Sequence, residues 1–149
     1  MSKILIVVVV ICLIGSIAYE RWAANDALRK LHEIKQAGDE DAFMRAVDNP
    51  YIRMHISKFA RAFMRLNYWV DQDRENEVRK LIPEITAMKC SPNERTALYL
   101  KLLGYARKKG WNTQARQYIS ALQKELKDKT DRQSAELRRE LRYMEQTFK

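Results

Sequence analysis

At 149 residues the chain is too short for a large multidomain enzyme and long enough for one compact domain with an appendage. Four Gly and three Pro, beside 46% apolar and 32% charged residues, favour helices and exclude an all-β fold, whose turns consume both residue types. A net charge of +9 points to an anionic partner or surface.

The first element is apolar from Ile4 to Ala18 apart from Gly15 and Ser16, and all 19 acidic residues lie at Glu20 or beyond. It predicts a single-pass transmembrane anchor over residues 1–22. As a helix, Lys3 to Arg21 spans roughly 28 Å against a hydrocarbon thickness of ~30 Å. Lys3 and Arg21 would snorkel at the two ends, with Tyr19 and Trp22 at the interface. A cleaved signal peptide competes, because Lys3 gives a basic start and Ser16-Ile17-Ala18 places small residues at a cleavage position. Against it, Glu20-Arg21-Trp22 runs straight into helical pattern. Val9-Val10-Ile11 before Cys12 lacks the small residue that lipoprotein processing requires. Arg21, Arg29, Lys30 and Lys35 put the body in the cytoplasm by the positive-inside count, whereas the basic start argues the opposite orientation. The lone body thiol, Cys90, fits a reducing compartment.

Residues 23–149 form the expected helical domain. Ala27, Leu28, Leu31 and Ile34 mark a first helix ending at Gly38, and a short second runs from Glu40 to about Val47. Asp48-Asn49-Pro50 opens a third, whose Ile52, Ile56, Phe59, Phe63 and Leu66 fall within about 80° of arc. Asp71 and Asp73 announce the fourth, striped by Val78, Leu81, Ile82, Ile85 and Met88; Pro83 predicts a kink or an early end. Ser91-Pro92-Asn93-Glu94 is a capping box for the fifth, which carries Leu98, Leu102 and Tyr105, or Tyr99, Leu103 and Ala106, and ends at Gly110. The sixth, capped near Asn112 or Thr113, presents Ala115, Ile119, Leu122 and Leu126. A terminal helix from Thr130 carries Leu137, Leu141, Met144 and Phe148.

Short connections predict antiparallel neighbours. Residues 77–85 align with 114–122 at an offset of 37, and Leu66 and Tyr68 fall on Leu103 and Tyr105. Leu103-Gly104, Gly110, Ala115 and Ile119 resemble the packing positions of the tetratricopeptide repeat, although Arg107 replaces an aromatic and no Pro closes the unit. The resemblance covers residues 96–126, and 59–89 less fully. It implies an all-α fold after the anchor: a short array of antiparallel helical hairpins with a groove that holds another protein, the alternative being an irregular helical bundle with similar-looking hairpins.

No chemistry assembles in the pattern. His32 and His55 read as packing or surface residues, Cys90 is isolated, and glycines 15, 38, 104 and 110 form no phosphate loop. Asp39-Glu40-Asp41 reads as favourable charge at a helix start. No catalytic residue, metal ligand or cofactor is expected. Arg61, Arg65 and Lys101 are candidate groove contacts for acidic groups of a partner protein. Lys108, Lys109, Arg138, Arg139 and Arg142 are candidates for a patch facing anionic lipid, nucleic acid or an acidic protein, with an ordinary solvated helix face as the bland alternative. No nucleic-acid motif is present. The expected function is therefore noncatalytic docking or scaffolding of a protein partner at the membrane; the alternative is a basic helical domain bound to an anionic surface.

Overall fold

A computed structural model describes the backbone of residues 2–147 and the side chains of residues 12–146. These residues are all-helical. In chain order they form α1 (Ser2–Ala37), α2 (Glu40–Val47), α3 (Pro50–His55), α4 (Lys58–Asp71), α5 (Glu75–Ala87), α6 (Pro92–Lys109), α7 (Asn112–Leu126) and α8 (Arg132–Thr147). The chain divides into two compact units, Met1–Ile85 and Thr86–Lys149.

In the first unit α1 crosses the expected boundary at residue 22 without a break. Ala23, Ala27 and Leu31, four apart, are its buried face, and α1 packs on α2 and α3. With Phe43, Val47, Ile52, Ile56 and Tyr68 these residues form the core cluster, where the rings of Phe43 and Tyr68 stack at 4.7 Å. Gly38 ends α1 in the left-handed conformation (φ 78°), and Asp39 Oδ1 accepts from Ala42 N–H at 2.9 Å to start α2. Acidic Glu40 and Asp41 fill that first turn, where the helix dipole favours them.

One expectation is corrected here. The third helix is two helices: Ser57 Oγ accepts from Ala60 N–H at 3.1 Å and starts α4 afresh. The apolar stripe survives the break, because Ile52, Ile56, Phe59 and Leu66 are all buried and Phe63 is half-buried. Pro83 does not end α5, which continues to Ala87 with Pro83 exposed while Val78, Leu81 and Ile85 are buried.

The transmembrane expectation for residues 1–22 finds no support among the described residues, where no helix is long and apolar enough to cross a membrane. The side chains of Ile4–Ile11 lie outside the described set, and the remaining apolar run, Cys12–Ala18, covers only about 10 Å of helix before Glu20 and Arg21. Phe148 also lies outside the described residues.

In the second unit the capping box is present: Ser91 Oγ accepts from Glu94 N–H at 3.3 Å, and Glu94 Oε2 accepts from Ser91 N–H at 2.8 Å. Both candidate faces of α6 contribute to the core, since Leu98, Leu102, Leu103, Tyr105 and Ala106 are buried and Tyr99 is half-buried. On α7, Ala115, Ile119, Leu122 and Leu126 are buried as expected. Trp111 occupies its cap position without a side-chain cap bond. The start of α6 meets the end of α7 through Arg95–Glu125 (3.2 Å) and Lys129–Asn93 (3.0 Å), so the two helices run antiparallel. Asp131, rather than Thr130, starts α8 by accepting from Ser134 N–H at 2.9 Å.

The 37-residue echo extends to the backbone of the α4–α5 and α6–α7 turns. Asp73 and Gly110, 37 apart, both adopt left-handed φ (55° and 70°). Around them Asp73 N donates to Val70 O as Gly110 N does to Arg107 O, and Arg74 N to Trp69 O as Trp111 N does to Ala106 O, at 2.8–3.2 Å. Each set is a Schellman motif. Trp111 stands edge-on to Tyr105 at 5.4 Å, the apolar contact such a motif carries. Buried residues repeat likewise: Leu66 with Leu103, Tyr68 with Tyr105, Val78 with Ala115, Leu81 with Tyr118, Ile85 with Leu122.

Opposite effects are expected at the two turn positions. Asp73→Gly relieves left-handed strain and raises stability by about 1 kcal/mol, whereas Gly110→Ala lowers it by about 1–2 kcal/mol. A Cβ at Gly110 meets nothing within 4 Å, so the second penalty is conformational. Urea denaturation of both variants reads the two signs; changes of the same sign would show the turns to be inequivalent.

Candidate docking surfaces

In the first unit α1, α2 and α4 enclose an open groove of about 330 Å³. Leu28 and Leu31 line it from α1, Phe43 from α2 and Met64 from α4, with His32, Lys35 and Asn67 as its polar groups. Leu28 stands one residue outside the buried Ala27 face and stays 40% exposed, which gives the groove an accessible apolar wall. Lys35 Nζ sits 2.7 Å from Asp71 Oδ2, tying the end of α1 to the end of α4. Glu40 does the same for α2, accepting from Trp69 Nε1 at 3.2 Å and pairing with Arg74 at 2.9 Å. The groove is thus apolar between fixed polar anchors, a lining suited to an apolar side chain of a partner. Leu28 and Leu31 were legible as a helical stripe; Met64, flanked by Phe63 and Arg65, carried no such signal.

On the opposite side of α1, Asp26 is the centre of a polar cluster. Its carboxylate, 10% exposed, pairs with Lys30 at 2.7 Å and Arg29 at 2.8 Å. Tyr51 Oη of α3 lies 3.4 Å from it and from Ala23 O, and Lys30 Nζ stands 5.1 Å over the Tyr51 ring. Hydrogen bonds from Lys30, then Arg29, pull the Asp26 carboxyl down from 3.8 to about 2. A carboxyl depressed on folding contributes stability that is complete above its unfolded pKa and disappears as pH falls through the folded value. The Asp26 contribution should therefore fade between about pH 4 and pH 2. Asp26→Asn should remove that part of the acid dependence, read by urea midpoints across the window; an unchanged slope would refute it.

The sequence-selected cations meet different fates. Arg61 and Arg65 lie on α4 and are only 14% and 25% exposed; both guanidinium groups pair with Asp48, at 3.7 and 2.5 Å. They brace the α2–α3 connection against α4 and are not presented to the groove lining named above. In the second unit, Lys101 is half-buried on α6, Lys108 is exposed and Lys109 Nζ lies 5.7 Å over the Tyr105 ring. Arg138 of α8 donates to Leu126 O and Lys129 O at 2.5 and 2.6 Å, satisfying carbonyls at and beyond the α7 terminus. Arg139 and Arg142 are exposed, while Arg132 pairs with Glu136 at 3.1 Å. Arg107 reaches Met144 Sδ at 3.2 Å.

Of the residues expected at a membrane, Tyr19, Arg21 and Trp22 are exposed, the two rings 6.1 Å apart; the Lys3 side chain lies outside the described residues. Among the described residues no group of three His, Cys, Asp or Glu side chains gathers to hold a metal ion. No family model, curated protein or solved structure matches the chain.

Proposed function

We propose that this protein is a noncatalytic docking protein, held at a membrane by its N-terminal segment with the body on the cytoplasmic side, and that it receives a partner protein in the groove between α1 and α4. The observation that carries the reading is the continuity of α1. One helix leads from the apolar residues of the N-terminus to the Leu28–Lys35 wall of the groove. The apolar run from Ile4 to Ala18 supports the anchor, and the exposed Tyr19 and Trp22 are suited to an interface. The close α6–α7 packing and its Schellman turn support reading that pair as a tetratricopeptide-like hairpin, a unit that proteins use to hold other proteins. The partner surface is apolar, with a group that hydrogen-bonds to the His32 or Lys35 side.

A photo-crosslinker at Leu28 of the full-length protein tests the reading in intact cells. The protein should stay in the membrane pellet after alkaline extraction and yield a discrete adduct. Deleting residues 4–18 should move it to the supernatant. With the crosslinker moved to Met64, Leu28→Asp should abolish the adduct while leaving the pellet unchanged. Full release of the wild type by alkaline extraction refutes anchoring, and an adduct indifferent to Leu28→Asp refutes the groove.

A further inference from the structure

We infer that a second binding site, independent of the α1 groove, lies wholly within residues 86–149 and takes an acidic peptide segment of a partner protein. It is an open, largely polar groove of about 550 Å³, bounded by the last two residues of α5, the connection that follows, the beginning of α6 and the end of α7. That volume falls within the range of natural ligand sites, ~300–1,000 Å³.

Three cations line it: Lys89 from the connection, Arg95 from α6 and Lys124 from α7. Against them the lining includes the Glu125 carboxylate, which Arg95 holds at 3.2 Å. Arg95 is a prearranged donor. It sits in the first turns of α6, stapled by the Ser91–Glu94 capping box, with its N–H on Ser91 O at 3.0 Å. Glu125 braces its guanidinium, and the side chain is still 43% exposed. Lys89 and Lys124 are exposed. A planar guanidinium with two flanking ammonium groups suits carboxylates presented in succession.

The charge of the unit points the same way. Residues 86–149 hold 15 Lys and Arg against 7 Asp and Glu, net +8, whereas residues 1–85 hold 13 against 12. Almost the whole basic excess therefore lies in the unit that carries this groove and steers acidic segments toward that unit. Tyr99, the aromatic in the lining, is half-buried with its ring 6.2 Å from that of Tyr118. Met88 and Ala121 supply apolar lining for the aliphatic parts of Glu or Asp side chains.

Fluorescence anisotropy on the full-length protein in detergent, with a labelled Glu-Glu-Tyr-Glu-Glu peptide at low salt, provides the test. The Gln counterpart should bind at least about tenfold more weakly, and Lys89→Ala with Lys124→Ala should cause a similar loss. The double variant Lys89→Arg with Lys124→Arg should keep the affinity, and Arg139→Ala with Arg142→Ala should leave it unchanged. Wild-type affinity in the double Ala variant overturns the site. So does an equal loss in the Arg139/Arg142 variant, which would make binding a diffuse effect of net charge. Failure of the acidic peptide to bind, with phosphatidylserine vesicles or single-stranded oligonucleotide bound through Lys89 and Lys124, also overturns it.

Discussion

Replacing Tyr68 by Ala should cost the first unit about 3–5 kcal/mol, the range for removing a buried aromatic side chain. Tyr68 is buried, and its ring lies at 4.7 Å on Phe43, so one substitution opens a cavity and removes a stacking partner between α4 and α2. Domains are stable by only about 5–15 kcal/mol, so such a loss brings the unit close to unfolding. Hydrogen exchange in α2 and α4 should accelerate strongly, while Tyr68→Phe, which keeps the ring, should lose little. A change below about 1 kcal/mol in the Ala variant would show that the α2–α4 contact is not part of the cooperative core.

In the second unit the largest effect is expected at Leu122. It is fully buried on the α7 face that also carries Ala115, Ile119 and Leu126, and α6 and α8 both pack on α7. Leu122→Ala should cost about 2–5 kcal/mol, read as a lower urea midpoint with an unchanged slope. Loss of protection should extend into α6. Leu100→Ala, at an exposed position of α6, should change stability by less than about 0.5 kcal/mol and serves as the control. Comparable losses at the two positions would mean that burial does not rank these sites.

The parts of the fold written in short-range chemistry were legible in the sequence. Glu40–Val47 is bounded where Gly38 and Asp48 predict, the capping box opens α6, Gly110 closes it, and the stripe on α7 is buried position for position. Hydrophobic phase reports which face is buried, but it is silent on which turn gives up its i to i−4 hydrogen bonds. For that reason Ser57 divides a stripe that looks continuous. Asp71 and Asp73 announce α5, which begins at Glu75; that Asp73 is also the left-handed residue of the preceding turn needs the 37-residue comparison with Gly110 to be seen. The site residues were harder still. Arg61 and Arg65 lie opposite the apolar stripe and look solvent-facing, but Asp48, 13 and 17 residues earlier, reaches both. Arg138 likewise looked like a surface charge until folding placed it beside the carbonyls of Leu126 and Lys129. Long-range partners leave no trace in local spacing.

Because α1 is unbroken from the apolar segment to the groove, helical phase fixes the direction in which the groove faces. Each residue between Ala18 and Ala23 sets that azimuth by about 100° and the height by about 1.5 Å. A single insertion there would leave the contacts among residues 23–85 intact yet swing the groove through more than a quarter turn about the α1 axis. Inserting seven residues restores the original facing to within about 20° and lifts the groove about 10 Å along that axis.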